Sequence, residues 1–393
     1  MRKIFHYTLS LTLILWAIAG CNTPEPKQES SPEPLISKDT TPPPPPENKD
    51  LTELSLLLAG MQGNESHPLS GIRKDSAWMA FSAVFDSSWK SVSGTRYRLM
   101  KKWSSEELQT ANASDRSIFY PFGGPDFLNA FTLFPNAKEY NLFGLEPVGN
   151  LPEPEKMLPA MRASYFFSIR NALRDILFKS YFISRNMMVD LKADKINGTL
   201  PLLAVFLART GNKILSIKHV VIDSSGSIQE TDPKAITSNT LNPGVKIEFI
   251  PEGKNEIRTL TYFKADLSDF ALLRNKGMVA YAKSKGTVNT YLKSASYLLH
   301  YKEFSVIRNI ILDQSAFLLQ DDSGIAYRYF DTLKWDFKFY GYYTDPVKDF
   351  SGVTQEDLRK IYTDNQATIQ QVPFILGYHW GSKGINLMRA IKK

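Results

Sequence analysis

The chain has a single cysteine among its 393 residues, Cys21. One thiol forms no intrachain disulfide and no cysteine-ligated metal site. Histidine is nearly as scarce, at five residues. No two of them stand at a metal-ligand spacing such as H-x-x-x-H, so metal-dependent hydrolysis has no positive signal. His67 lies beside Pro68 in a loop, and His219 sits inside a strand. His300 and His379 each follow a β-prone run. The chain has no P-loop pattern and no G-x-S-x-G nucleophile elbow. It has no basic block with base-stacking motifs, so nucleic acid is not an expected partner. The formal charge of +7 is scattered, and removing Arg2 and Lys3 leaves about +5.

Long apolar runs are also missing, except at the N-terminus. There "MRKIFHYTLSLTLILWAIAGC" sets Arg2 and Lys3 before an apolar stretch from Leu9 to Ala19. That stretch is short for a membrane span and carries its charge on the N-terminal side, as a secretory signal does. Ile18-Ala19-Gly20-Cys21 resembles the lipobox of bacterial lipoproteins. The resemblance implies cleavage before Cys21, a diacylglycerol on its sulfur and an acyl chain, such as palmitate, on its new amino group. Several acyl chains anchor firmly where one is marginal. By the same resemblance, Asn22 rather than Asp after the cysteine implies the outer membrane, facing the periplasm or the cell surface.

Residues 21–50 are rich in Pro, Glu, Ser and Lys, and nearly free of large apolar side chains. Such a segment buries too little surface to fold. The five prolines Pro42–Pro46 favour extended polyproline II, at about 3.1 Å per residue. The segment is therefore read as a tether. From Leu51 to Lys393 the chain is expected to form one globular α/β domain. Its 43% hydrophobic and 22% charged content is that of ordinary soluble domains.

Within that domain, Ala77–Leu108 is expected to be helical, with Trp78, Phe81, Phe85 and Trp89 on one face and Gly94 as an interruption. The stretch "FYPFGGPDF" then has the form of a strand, a glycine turn and a helix start. Ser117–Phe122 is β-prone, Gly123-Gly124 turns, and Pro125 and Asp126 suit the first turn of a helix over Phe127–Phe134. Glu139–Leu145 is a second strand, ending at Glu146. Further on, Ala163–Leu191 and Thr199–Arg209 read as helices and Lys213–Ile222 as a strand. Val245–Ile250 and Ile257–Phe263 form a hairpin. Thr290–Leu299 is β-prone, Phe304–Leu312 helical, and Ala316–Gln320 a strand before Asp321-Asp322. Trp335, Phe337 and Phe339 alternate with polar neighbours as a strand. Tyr340 and Tyr342 are expected on its other, partly exposed face. Thr354 is expected to cap a helix, and Val372–Tyr378 to form the last strong strand.

Mixed strands and helices in this order predict a three-layer Rossmann-like α/β fold with a mixed sheet, an N-terminal helical segment and an inserted β-hairpin. The strand–turn–helix–strand–acid unit resembles the first half of a Rossmann-like domain of the methyltransferase type. In that resemblance Gly123 and Gly124 match the glycine turn, and Glu146 matches the acid that holds ribose hydroxyls. The turn departs from G-x-G-x-x-G, and Asp126 sets a carboxylate where a phosphate would bind the helix N-terminus. No cofactor is expected. The segments "FYPFGGPDFLNAFTLFPNAKEYNLFGLEPVG" and "SYLLHYKEFSVIRNIILDQSAFLLQDDSGIAYRYF" are also similar to an uncharacterised family of exported bacterial proteins, which implies no catalytic residues.

In open α/β sheets ligands bind at the carboxyl ends of the strands. The candidate crevice is therefore Tyr120, Gly123, Gly124, Asp126, Glu146, His300 and Asp321, with Cys21 as the lipidation site. Asp126 is read either as a helix cap or as part of that crevice. Asp321-Asp322 is read as a polar strand exit, or as a working pair if the strand has already turned. Two functions compete. One is a non-enzymatic module of the cell envelope that binds a ligand, glycan, peptide or protein partner, and the missing catalytic motifs favour it. The other is an envelope-directed hydrolase or transferase using carboxylates and His300 at the crevice.

Overall fold

The computed structural model describes residues 46–237, 239–381 and 384–393. The expected signal, the Cys21 lipidation site and nearly all of the tether lie outside the described residues.

Ten strands form one mixed sheet. They are β1 (Ile118–Tyr120), β2 (Glu139–Gly144), β3 (Asn212–Ile222), β4 (Ile228–Glu230), β5 (Pro243–Pro251), β6 (Arg258–Lys264), β7 (Val288–Leu292), β8 (Ser315–Gln320), β9 (Trp335–Gly341) and β10 (Asn386–Lys392). Their order is β4-β3-β5-β6-β2-β1-β7-β8-β10-β9. The five central strands, β6 to β8 in that order, are all parallel. β5, β3 and β4 extend one edge antiparallel. On the other edge β10 runs antiparallel between β8 and β9.

Alternation along the strands loads both faces with apolar side chains, as a sheet covered on both sides requires. Tyr120, Leu142, Tyr262, Tyr291 and Leu319 face one core. The helices Lys49–Leu58, Ser76–Val92, Arg98–Glu107, Phe127–Leu133, Pro159–Lys179 and Leu200–Arg209 pack there. Phe119, Phe143, Phe263, Leu292 and Leu318 face a second core under the helices Asp269–Arg274, Lys276–Ser284 and Ser305–Gln314. The fold is thus α/β, with helices on both sides of a mixed sheet. The stripe of Trp78, Phe81 and Phe85 is core, with Phe81 stacked on Phe85 and on Phe166.

Several expected elements differ. Gly94 does not separate two helices; it lies in a π-helical turn, Ser93–Tyr97, through which the helix continues. The long helix stops at Lys179, because Ser180 turns left-handed (φ 74), and a short helix resumes at Ser184–Asp190. β7 ends at Leu292, and the chain beyond it leaves the sheet through Ser294, Ser296 and Tyr297, all at positive φ. Tyr340 is fully buried against Trp103, and its hydroxyl donates to Glu107. Gln355 rather than Thr354 precedes the helix Glu356–Asp364, and no side chain caps it. Val372–Tyr378 is not a strand. Pro373 lacks a ladder donor, and Phe374 and Leu376 are buried as core plugs, Phe374 against Trp103. The last strand is β10.

Candidate functional site: a crevice at the carboxyl edge of the parallel strands

The five parallel strands end on one edge, and a crevice of about 960 Å³ opens there. Its floor is the backbone at the ends of four of them: Phe122–Gly124 after β1, Gly144–Glu146 from the last residue of β2, Ala265–Leu267 after β6, and Ser294 and Ser296 after β7. Tyr181–Arg185, Val347–Phe350 and Tyr378 wall it from above.

The turn after β1 is tight. Phe122 (φ 63) and Gly124 (φ 58) both take left-handed backbone, which is rare for a bulky residue and marks a held conformation. Gly124 N–H donates to the Phe143 carbonyl and ties the turn to β2. Gly144 lets the two backbones meet. A Cβ there would lie 2.5 Å from Glu146 Oε2 and 2.9 Å from the Gly124 Cα. Glu146 is mostly buried against this junction, and Tyr262 donates to its main-chain oxygen at 2.9 Å. Burial pushes its carboxyl pKa up.

Beneath the floor lies a buried polar layer. Asp126 caps the helix Phe127–Leu133 by accepting from Asn129 N–H at 3.1 Å. It also accepts from the Tyr120 hydroxyl at 2.9 Å and the Asn129 amide at 3.0 Å. Its counter-ion is Lys293, at 2.6 Å, with both side chains 1% exposed. Burial pushes the Lys293 ammonium down, and Asp126 opposes that shift. Lys293 and Asn129 both donate to the Ser180 carbonyl, at the left-handed break before Tyr181. The Tyr120 phenol is held well above its usual range by burial and by Asp126.

β8 ends at Gln320, before the two aspartates, yet they do not act as a pair: each serves its own hydrogen-bond network. Asp321 accepts from Ser294 N–H and from Ser323 N–H and hydroxyl. Burial, and then the neighbouring Asp322, push its pKa up to about 6. Asp322 accepts from the Tyr297 hydroxyl at 2.6 Å and the Asn386 amide at 3.0 Å, and His379 Nε2 lies 3.1 Å from it. Burial works against charge on His379, but Asp322 outweighs it and raises the pKa. His300 is buried edge-on to Tyr297, with no hydrogen-bond partner on either ring nitrogen among the described residues. Burial, reinforced by Arg328, lowers its pKa to about 4.

Gly123, Gly124 and Glu146 thus line the crevice. Tyr120, Asp126 and Asp321 lie in the layer below, and His300 stands apart from the lining. Asp126 acts as a helix cap and also as half of a buried ion pair. His219 is a satisfied strand residue, 2.8 Å from the Gly149 carbonyl. Sequence reasoning missed Lys293, although a lone charge closing the β-prone run "VNTYL" was a readable signal. It also missed Tyr181, Ser294 and Tyr378, which carry no local mark. Among the described residues no group of His, Asp or Glu is arranged to hold a metal, and no helix is long and apolar enough to cross a membrane. Compared with protein-family models, with curated proteins and with solved structures, the chain matches none of them.

Proposed function

We propose that the chain is a lipid-anchored binding module of the cell envelope, whose crevice takes a small hydroxyl-bearing ligand such as a glycan fragment. The observation that carries this is Glu146. Its carboxylate sits at the floor of the crevice beside two glycines whose missing side chains leave it reachable. Phe122, Tyr181, Phe350 and Tyr378 supply flat apolar walls, the surface on which sugar rings stack. The order β6-β2-β1-β7-β8-β10-β9, with β10 reversed, supports a methyltransferase-like outline for the sheet. The outline does not bring its usual phosphate-bearing cargo, because Asp126 already occupies the helix N-terminus after the turn. An envelope hydrolase is the weaker reading, since neither His300 nor Asp321 lines the crevice. The anchor at Cys21 is proposed from the lipobox resemblance.

Native mass spectrometry of the purified chain, then calorimetric titration with glycan fragments and nucleosides, tests the site. Glu146→Gln removes a charged acceptor and should weaken binding roughly 10- to 100-fold, from the ~1.5–3 kcal/mol of a hydrogen bond to a charged group. Tight binding of a nucleotide, or binding indifferent to Glu146, would refute the reading.

A further inference from the structure

The helix Pro159–Lys179 turns Phe166, Ile169, Leu173 and Ile176 into the core. Positions 160, 164, 167, 171, 174 and 178 recur at three and four residues and form the opposite stripe. A stripe facing water should be polar. Here Phe167 is 55% and Phe178 62% exposed, and Met161 at 57% lies beside the stripe. The short helix that follows adds Met188, at 67%. Around these apolar groups the charge is mainly positive. From Leu158 to Asp190, the end of the short helix, the chain carries Arg162, Arg170, Arg174, Lys179 and Arg185 against Asp175 and Asp190. Arg162 pairs with Asp75 and Lys179 with Asp175. Arg170, Arg174 and Arg185 have no ion pair among the described residues. The Arg170 guanidinium lies 4.9 Å from the Phe167 ring centre, and the Lys179 ammonium 5.9 Å from that of Trp380, which itself packs on Phe178.

We infer that this face lies on an anionic lipid surface. Exposed aromatic and aliphatic side chains among arginines are what an interfacial helix presents to the boundary between headgroups and acyl chains. Phe167, Phe178 and Met188 enter that boundary, while the arginine stems follow and their heads meet lipid phosphates. A second copy of the chain is a poor occupant. A two-fold interface would set this cationic face against itself. The inference goes beyond the crevice's ligand and does not depend on it. It assigns an orientation, because Tyr181–Arg185, which leads from the first helix into the second, also forms the wall of the crevice. Docking places that wall at the lipid surface.

The test uses the full chain bound to vesicles, with a nitroxide on one introduced cysteine. Phe167→Cys and Phe178→Cys report the face. Leu273→Cys, 72% exposed on a helix across the sheet, is the reference. If Cys21 takes up label, the signal of the native chain labelled in parallel is subtracted. In vesicles containing phosphatidylglycerol, positions 167 and 178 should gain oxygen accessibility and lose accessibility to a polar nickel chelate. Position 273 should do neither. In pure phosphatidylcholine the change should be several-fold smaller, and Arg174→Glu should reduce it in anionic vesicles. Labels at 167 and 178 that remain aqueous on floated vesicles would overturn the inference. So would equal immersion of position 273, or coupling between labels of two copies without lipid.

Discussion

Lys293→Met is the most informative single change beneath the crevice. In the native chain Lys293 neutralises Asp126 at 2.6 Å with both side chains 1% exposed. The substitution keeps much of the volume and removes the charge. Asp126 retains Tyr120 and Asn129 as donors but becomes an uncompensated buried anion. Breaking a buried pair from one side costs about 3–5 kcal/mol, whereas removing both charges together is often close to neutral. Unfolding entropy of about 2.1 cal/mol/K per residue over roughly 350 residues gives ~0.7 kcal/mol/K. The single variant should therefore melt about 4–7 °C lower, with the onset followed by circular dichroism. Lys293→Met combined with Asp126→Asn should recover at least half of that loss. The same single variant removes a donor from the Ser180 carbonyl, so the wall Tyr181–Arg185 should become more susceptible to limited proteolysis. A shift under about 1 °C, or a double variant no better than the single, would show that the pair does not compensate charge as described.

Gly144→Ala should both destabilise the chain, by about 1–3 kcal/mol, and weaken ligand binding, because its Cβ would strike Glu146 and Gly124 at once. Urea midpoints and titration check the two effects, and an unchanged midpoint would refute the packing argument. His300 has a folded pKa of about 4 against an ordinary 6.5, so stability present above pH 6.5 is lost as pH falls toward 4. Asp321, raised to about 6 from 3.8, acts in the opposite sense, with stability present below pH 3.8 and lost as pH rises toward 6. His300→Gln should therefore gain on the native chain as pH drops from 7 to 4.5, and a pH-independent difference in urea midpoint would count against it. Cys21→Ser should move the chain out of the lipid-modified membrane fraction, read by intact mass and flotation.

The parts of the fold that were legible in the sequence are those decided by neighbours in the chain. Trp335, Phe337 and Phe339 alternate with polar residues over seven positions, and β9 forms there. Pro201 and Gly211 bracket the helix Leu200–Arg209 for the usual reasons of a missing donor at one end and left-handed backbone at the other. The errors fall where a distant partner decides. The apolar run Val372–Leu376 is as long as that of many strands, but the place beside β9 is taken by β10. β10 itself reads weakly as "NLMRAIK", because Arg389 and Lys392 interrupt its apolar pattern. Arg389 reaches the main chain at Glu107, and Lys392 reaches the carbonyls that end the helix Ser305–Gln314. Those contacts make a charged segment acceptable inside the sheet order, and nothing local announces them.

The same division runs through the site. Gly124, Gly144 and Glu146 follow from one βαβ unit, within which turn chemistry and strand length are enough to place them. The chemistry below the floor needs pairings that the unit does not contain. Asp126 has two local roles available to it, capping Asn129 and receiving Tyr120. Neither requires a counter-ion. A carboxylate buried to 1% does require one, and it comes from the end of β7. Lys293 then has ammonium protons to spare and spends one on Ser180, 113 positions away. That bond, with the left-handed backbone at Ser180, accounts for a break that helix propensity alone does not place between Lys179 and Ser184. The break in turn frees Tyr181–Arg185 to wall the crevice and to begin the helix that carries Met188. One buried charge pair thus connects the turn after β1 to the outer cationic face, through residues that are ordinary when taken singly.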